Sequence, residues 1–276
     1  MLKKAYLEIT NVCNLCCSFC RGTAREKGFI SVENFRAAAE KLRPYTEYLY
    51  LHLMGEPLLH PRLGELLAIC QSLRFKVVVT TNGVLLPEKA DVLLDAPSLY
   101  KVSVSVHSYE GNGGAAEKLT GYLDGVCDFA GRAAAGGVIV SLRLWNGGGA
   151  QGYNPAILRY LNARFPDAAP HRSGLTLAPR LYLEYGDAFD WPDLAADERD
   201  VRFCMGLRDQ IGVLWDGTVV PCCLDADGAI PLGNLFRDDP GAILASPKAR
   251  AIYDGFSQGK AVADLCRRCG YAERFR

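Results

Sequence analysis

Four cysteines, Cys13, Cys16, Cys17 and Cys20, crowd the segment NVCNLCCSFCRG, directly after the apolar run AYLEIT. Five more, Cys204, Cys222, Cys223, Cys266 and Cys269, lie beyond residue 200, and only Cys70 and Cys127 stand between the groups. Thiolates are soft ligands that suit zinc and iron-sulfur clusters. Their distribution therefore points to two metal centres, one built near each end of the chain. Two arrangements of the first group are open. Cys13-x3-Cys17-x2-Cys20 places three thiolates in one loop and leaves one iron of a cubane without a protein ligand. Cys13-x2-Cys16 with Cys17-x2-Cys20 would instead make a tetrahedral zinc knot. Adjacent Cys16 and Cys17 point in different directions, which favours the three-cysteine set and leaves Cys16 a bystander.

The chain around these thiols is of ordinary globular composition. It has 276 residues, 49% hydrophobic and 22% charged, enough for one large α/β domain or a domain with an appendage. Lys plus Arg (31) balances Asp plus Glu (31), and the basic residues are scattered. That pattern argues against an extended nucleic-acid footprint. No apolar run has the length of a membrane span, and MLKKAYLEIT lacks the longer apolar core of a signal peptide. A cytoplasmic protein is expected. In that compartment the eleven cysteines point to metals or catalysis more than to disulfides.

Positioning these groups requires a scaffold, and the pattern supplies one. AYLEIT (5–10), YLYLHLM (48–54), FKVVVTT (75–81), KVSVSVHS (101–108) and VIVSLRLW (138–145) read as strands. Helical patterns fill the gaps: Val32 to Leu42 with Ser31 as N-cap, Pro61 to Leu73, Pro87 to Leu94, Leu119 to Ala135 and Pro155 to Phe165. A sixth strand is expected in LTLAPRLYLEY (175–185), interrupted by Pro179. The β-α alternation predicts parallel strands with right-handed crossovers, hence a partial (β/α)6 TIM-like barrel. In such a fold the C-terminal ends of the strands share one rim, where chemistry is carried. The residues there are the cysteine group, Gly55-Glu56-Pro57, Asn82-Gly83, Ser105 with His107, and Arg143 with Asn146. An arginine inside an apolar strand is costly to bury without an anion, so Arg143 calls for an ion pair or an anionic ligand. His107 and Tyr109 are candidates for a substrate pocket, though a hydrogen-bonded core role suits His107 equally. Gly147-x-Gly149-x-x-Gly152 has dinucleotide-fold spacing, but it follows the fifth strand and stops short of the helix at Pro155, so it reads as a rim loop.

The last third has a different grammar. IGVLWDGTVVPC (211–222) is a β-hairpin with Asp216-Gly217 at its turn, and Ser246-Pro247 opens a helix leading to Cys266-x2-Cys269. The five cysteines here, Cys204, Cys222, Cys223, Cys266 and Cys269, could make a cluster site or a four-cysteine zinc ribbon, with Cys222 and Cys223 as alternatives. A division into residues 1–185 and 186–276 is expected.

The spacing Cys13-x3-Cys17-x2-Cys20, with aromatic Phe19 before the last cysteine, resembles the radical S-adenosylmethionine (SAM) superfamily. That resemblance implies a 4Fe-4S cluster whose open iron chelates SAM, and one-electron cleavage that yields a 5'-deoxyadenosyl radical. By position it also implies SAM contacts from Phe19, from Gly55, Glu56 and Pro57, and from Ser105 and Arg143. Cys204, Gly217, Cys222 and the distant Cys-x2-Cys resemble Twitch, the truncated form of the SPASM domain, implying an auxiliary 4Fe-4S cluster. Among enzymes so arranged, the layout is most similar to the 2-deoxy-scyllo-inosamine dehydrogenases. A saturated auxiliary cluster implies electron transfer, hence oxidation of a small polar metabolite, with Glu184 as proton acceptor, Tyr182 and Tyr185 nearby, and a flavodoxin or ferredoxin-type reductant. Modification of a peptide or RNA, and a non-enzymatic electron carrier, are the other readings. Against peptides stands the chain's start directly at the barrel, without a leader-binding module.

Overall fold

The computed structural model describes residues 1–275. Its strands are β1 (Lys4–Leu7), β2 (Tyr48–Tyr50), β3 (Lys76–Thr81), β4 (Leu99–Ser105), β5 (Ile139–Gly147), β6 (Ala169–His171), β7 (Gly174–Ala178), β8 (Leu181–Asp187), β9 (Gln210–Val213), β10 (Thr218–Val220) and β11 (Gly233–Asn234). The helices are α1 (Val32–Leu42), α2 (Leu63–Ser72), α3 (Leu86–Leu94), α4 (Ser108–Gly111), α5 (Leu119–Ala135), α6 (Asn154–Arg164), α7 (Pro240–Ala245), α8 (Pro247–Ser257) and α9 (Asp264–Arg267). All strands join one sheet in the order β11-β10-β9-β1-β2-β3-β4-β5-β8-β7-β6. The run from β9 to β8 is parallel throughout, and an antiparallel hairpin flanks each end. The barrel is thus partial and open. No helix is long and apolar enough to cross a membrane among the described residues.

Local chemistry explains the boundaries. The Ser31 hydroxyl accepts the Asn34 N–H at 3.1 Å and starts α1, and Ser246 caps α8 in the same way through Ala249. Strand alternation then sorts side chains. Val77, Val79, Val102, Val104, Val140, Leu142, Leu181 and Leu183 belong to the buried apolar layer under the helices. The alternate positions, Thr80, Lys101, Ser103, Ser105, Ser141, Arg143, Tyr182 and Glu184, share the inner face.

One expectation needs correction. The run 175–185 is two strands. Pro179 cannot donate to a ladder, Arg180 takes φ +63°, and the chain reverses there, so β7 is antiparallel while β8 alone is the sixth barrel strand, parallel to β5. The C-terminal hairpin builds no layer of its own, since β9 pairs with β1 and extends the barrel sheet. The division near residue 186 stays our proposal. It falls inside β8, which runs on to Asp187 before an irregular stretch of chain.

Candidate functional site

The cysteine loop is moored on both sides. Thr10 Oγ1 donates to Gly28 O (2.7 Å), and the Asn11 amide bonds Glu26 O and Gly28 N, tying the base of the loop. Across the rim, Ser18 N donates to Gly111 O (2.7 Å) and Cys16 N to Asn112 Oδ1 (2.7 Å). Phe19 lies against Gly111, where a Cβ would fall 2.4 Å from the ring, and its ring centroid is 4.8 Å from that of His107. Cys13 Sγ accepts from Leu15 N (3.5 Å) and Cys20 Sγ from Gly22 N (3.4 Å), while Cys17 Sγ lies 3.7 Å from Ser108 O. Burial, reinforced by neighbouring cysteines, pushes the Cys17 thiol up to about 12, and burial also raises Cys13. Without a metal these groups are held as thiols, and a cation would release their protons.

Gly55-Glu56-Pro57 packs under this loop. Gly55 has φ +75°, and a Cβ there would meet Thr10 O at 2.6 Å and Val12 O at 2.7 Å, so only glycine fits. The Glu56 carboxylate turns inward and accepts Leu58 N (3.0 Å) and Asn82 N (2.8 Å). Its side chain is thereby a brace for the strand ends, and what the tripeptide offers a ligand is its backbone. Glu56→Ala would strand two buried N–H groups at about 1–3 kcal/mol each. We expect a drop of roughly 2–5 kcal/mol in urea-unfolding stability, with Glu56→Gln recovering part of it; an unchanged midpoint would remove the bracing role.

Inside the barrel, Ser105, Arg143 and Glu184 stand side by side on β4, β5 and β8. The Arg143 guanidinium lies over Trp145 at 4.4 Å, with Nε 3.7 Å from Glu184 Oε2. Lys101 Nζ reaches Glu184 Oε1 at 3.3 Å. Burial pushes Glu184 up, but Ser141, Lys101 and Arg143 outweigh it and hold the carboxyl below its usual range. A carboxylate so held is a poor proton acceptor, which argues against the role expected for Glu184. His107 is buried with Nδ1 3.0 Å from Arg143 O, so it fastens the Phe19 side of the loop to β5. Tyr109 stacks on Tyr122 and donates to Ala115 O, away from the inner face. Tyr185, 40% exposed, falls on the face of β8 opposite Tyr182 and Glu184.

Sequence reasoning passed over Lys4, Tyr6, Tyr50, His52, Thr80, Ser103 and Ser141. The signal was present as polar residues at every second position of KAYLE, YLYLH and KVSVS. His52 lies edge-on to the Tyr6 ring at 5.4 Å. Burial and the charges of Arg143 and Lys4 hold its pKa down to about 3 from the usual 6.5. A depressed histidine keeps its stabilising share above the unfolded pKa and loses it as pH falls. Stability of the metal-free chain should therefore decline from pH 6.5 toward 3, with His60 and His107, also shifted down by burial, contributing. His52→Gln should flatten that decline in urea titrations; an identical slope would refute the assignment.

The second cysteine group lines a cavity of about 270 Å³ together with Lys4, Tyr6 and Asp225. Gly206 N donates to Cys204 Sγ at 3.4 Å. Cys222 is raised by burial and by Cys223, Cys204 and Cys266, whereas Cys223, also raised by burial, is drawn the other way by Tyr6 and Lys4. Adjacent Cys222 and Cys223 thus serve different neighbours.

Residues 7–142 match the profile of the radical SAM superfamily, and residues 204–270 match that of SPASM, an iron-sulfur cluster-binding domain. The chain carries a radical SAM superfamily domain. This radical SAM chain is 33% identical over 93 residues to the tungsten-containing aldehyde ferredoxin oxidoreductase cofactor-modifying protein of Pyrococcus furiosus, covering 32% of this chain and 26% of that one. It is 25% identical over 298 aligned positions to the antilisterial bacteriocin subtilosin biosynthesis protein AlbA of Bacillus subtilis, covering 97% and 65%. The matches thus span 26% and 65% of those relatives' own lengths. In fold it is similar to BtrN, crystallised in complex with AdoMet and 2-DOIA, with TM-score 0.64 and 18% identity over 98% of this chain and 93% of that one. SAM, a 4Fe-4S cluster and an auxiliary iron-sulfur cluster are the cofactors of these domains. The donor sets suit them: thiols with N–H groups aimed at sulfur, and a glycine cradle against the loop backbone.

Proposed function

We propose that this protein is a radical SAM oxidoreductase that dehydrogenates a small polar metabolite, with the SPASM/Twitch cluster taking an electron from the substrate. The ligands are Cys13, Cys17 and Cys20 for the first cluster and Cys204, Cys222, Cys266 and Cys269 for the second. The reading is carried by the continuity of the cavity, which runs from those four C-terminal cysteines to Lys4 and Tyr6 on β1. When bound, SAM and the first cluster supply a 5'-deoxyadenosyl radical that removes a hydrogen atom from the substrate. Phe19, the Gly55-Glu56-Pro57 backbone, Ser105 and Arg143 hold SAM at the rim, and His107 keeps the loop registered. Oxidation of an alcohol requires loss of one hydrogen atom, one proton and one electron: the hydrogen atom would pass to the 5'-deoxyadenosyl group, the proton to solvent, and the electron to a cluster held by Cys204, Cys222, Cys266 and Cys269. The likeness in fold to BtrN, solved with AdoMet and 2-DOIA, is in keeping with a small-molecule substrate. A flavodoxin or ferredoxin-type protein is the proposed reductant.

Product analysis tests the reading: 5'-deoxyadenosine and a product two hydrogens poorer should form in about equal amounts. A product at the substrate's oxidation level would refute it. A second reading, radical modification of a peptide, draws on the AlbA match across 97% of this chain and predicts a modified peptide in the same assay. Arg143→Ala should weaken SAM binding about tenfold or more at constant iron content; unchanged affinity would take Arg143 out of the SAM site.

A further inference from the structure

We infer that the inner end of the barrel is a seat for an anionic, polyhydroxylated substrate, its carboxylate or phosphate received by Lys4 and its hydroxyls by a row of Thr and Ser side chains. This rests on the small-metabolite reading above and names the class of metabolite.

Three successive cross-strand rows line the inner face. Tyr6, Tyr50, Val78 and Lys101 form one; Thr80, Ser103, Ser141 and Tyr182 the next; Ser105, Arg143 and Glu184 the third, at the rim. Rows are about 6–7 Å apart, as two strand residues are. The middle row carries a hydroxyl on each of four neighbouring strands. Ser103 is completely buried, and its Oγ, Thr80 Oγ1 and His52 Nδ1 have no hydrogen-bond partner among the described residues. Leaving such groups unpaired costs about 1–3 kcal/mol each, so a folded protein that keeps several together expects a polar guest. A row of hydroxyls, each able to donate and to accept, matches the hydroxyls of a polyol.

Charge supplies the second half. Lys101 and Arg143 share Glu184. Lys4 has no such partner: its ammonium lies 5.2 and 5.0 Å from the ring centroids of Tyr6 and Tyr50 and makes no salt bridge among the described residues. Burial lowers its pKa, with Arg143 adding to the effect, while Cys223 and Asp209 act in the opposite direction. The nearby carboxylates are otherwise engaged: Glu184 is shared by Lys101 and Arg143, Asp209 pairs with Lys3, and Asp225 accepts the Ala229 and Ile230 N–H groups, which leaves Lys4 for an anion. Lys4 also lines the cavity of about 270 Å³ that opens toward the C-terminal cysteines. That cavity does not itself include the hydroxyl row; a substrate anchored at Lys4 by its anionic end would meet the row at the partly exposed Thr80 and Tyr182 and present a carbinol carbon toward the rim. An amine-bearing cyclitol would meet repulsion from Lys4.

The test uses the enzyme with both clusters loaded and SAM bound, without reductant, titrated calorimetrically with D-gluconate, D-glucose 6-phosphate, D-glucose and D-glucosamine. At least one anion should bind about tenfold or more tighter than glucose, with glucosamine weakest; which anion wins separates carboxylate from phosphate. Lys4→Met should erase the anion's advantage, Lys4→Arg should restore most of it, and Ser103→Ala should weaken acid and neutral sugar alike. Iron content and melting temperature of each variant show that it is folded. No saturable anion binding, glucosamine binding as tightly as the anions, or unchanged anion affinity in Lys4→Met would overturn the inference. A shift of the auxiliary cluster's midpoint potential in Lys4→Met, with anion affinity intact, would also overturn it and make Lys4 a counter-charge of that cluster. Because no turnover is read, a product at the substrate's oxidation level would defeat the oxidation reading while leaving the anion seat standing.

Discussion

Replacing Cys13, Cys17 or Cys20 with alanine should cut iron from about eight to about four per chain and abolish SAM cleavage, while Cys16→Ala keeps both. Three sulfurs of the loop sit at the rim in polar settings: two receive backbone N–H groups and the third faces Ser108 O. Cys16 is placed differently, because its backbone N–H is taken by Asn112 across the rim. A cubane held by three thiolates keeps one iron for SAM, so losing any of them removes the site. Anaerobic reconstitution, iron assay and 5'-deoxyadenosine detection decide the matter. If Cys16→Ala loses the cluster, the ligand set is wrong and a zinc-knot pairing regains ground; if Cys17→Ala keeps it, both ligand sets are wrong.

The Cys266→Ala and Cys269→Ala variants should still cleave SAM yet lose nearly all oxidised product, with 5'-deoxyadenosine accumulating uncoupled. In each the N-terminal loop is untouched. The cavity shared with Lys4 and Tyr6 would lack a ligand, and the substrate radical would lose its electron acceptor. Cys223→Ala should retain about eight irons, since Cys223 is turned toward Tyr6 and Lys4. Full product yield in the Cys266 and Cys269 variants would recast the second centre as structural. Loss of the cluster in Cys223→Ala would exchange it with Cys222.

Local codes made much of this protein legible. The Cys-x3-Cys-x2-Cys spacing, the glycine-glutamate-proline turn after the second strand and the alternating β-α pattern are short-range features, and α1 and α8 begin at the serines that cap them. Glycine at 55 follows from backbone contact at 2.6 Å, and at 217 from φ +86° in a tight turn. Pro179 announced a break, yet whether the chain would continue or reverse depended on which strand its neighbour met.

Tertiary structure decided the rest, because long-range pairing brings together residues whose spacing carries no signal. Glu56 looks like a ligand contact in a motif, but its two oxygens are claimed by Leu58 and by Asn82, far along the chain. Glu184 looks like a free base on its strand, and only pairing of β4, β5 and β8 sets Lys101 and Arg143 against it. The inner face escaped reading because its polar residues alternate with valines and leucines in runs whose mean is apolar. Period-two alternation reports that two faces differ, and only the curl of the sheet makes one of them an inner face. The docking of β9 on β1 places the C-terminal cysteines beside Lys4 and Tyr6, a contact set by strand pairing across some two hundred residues.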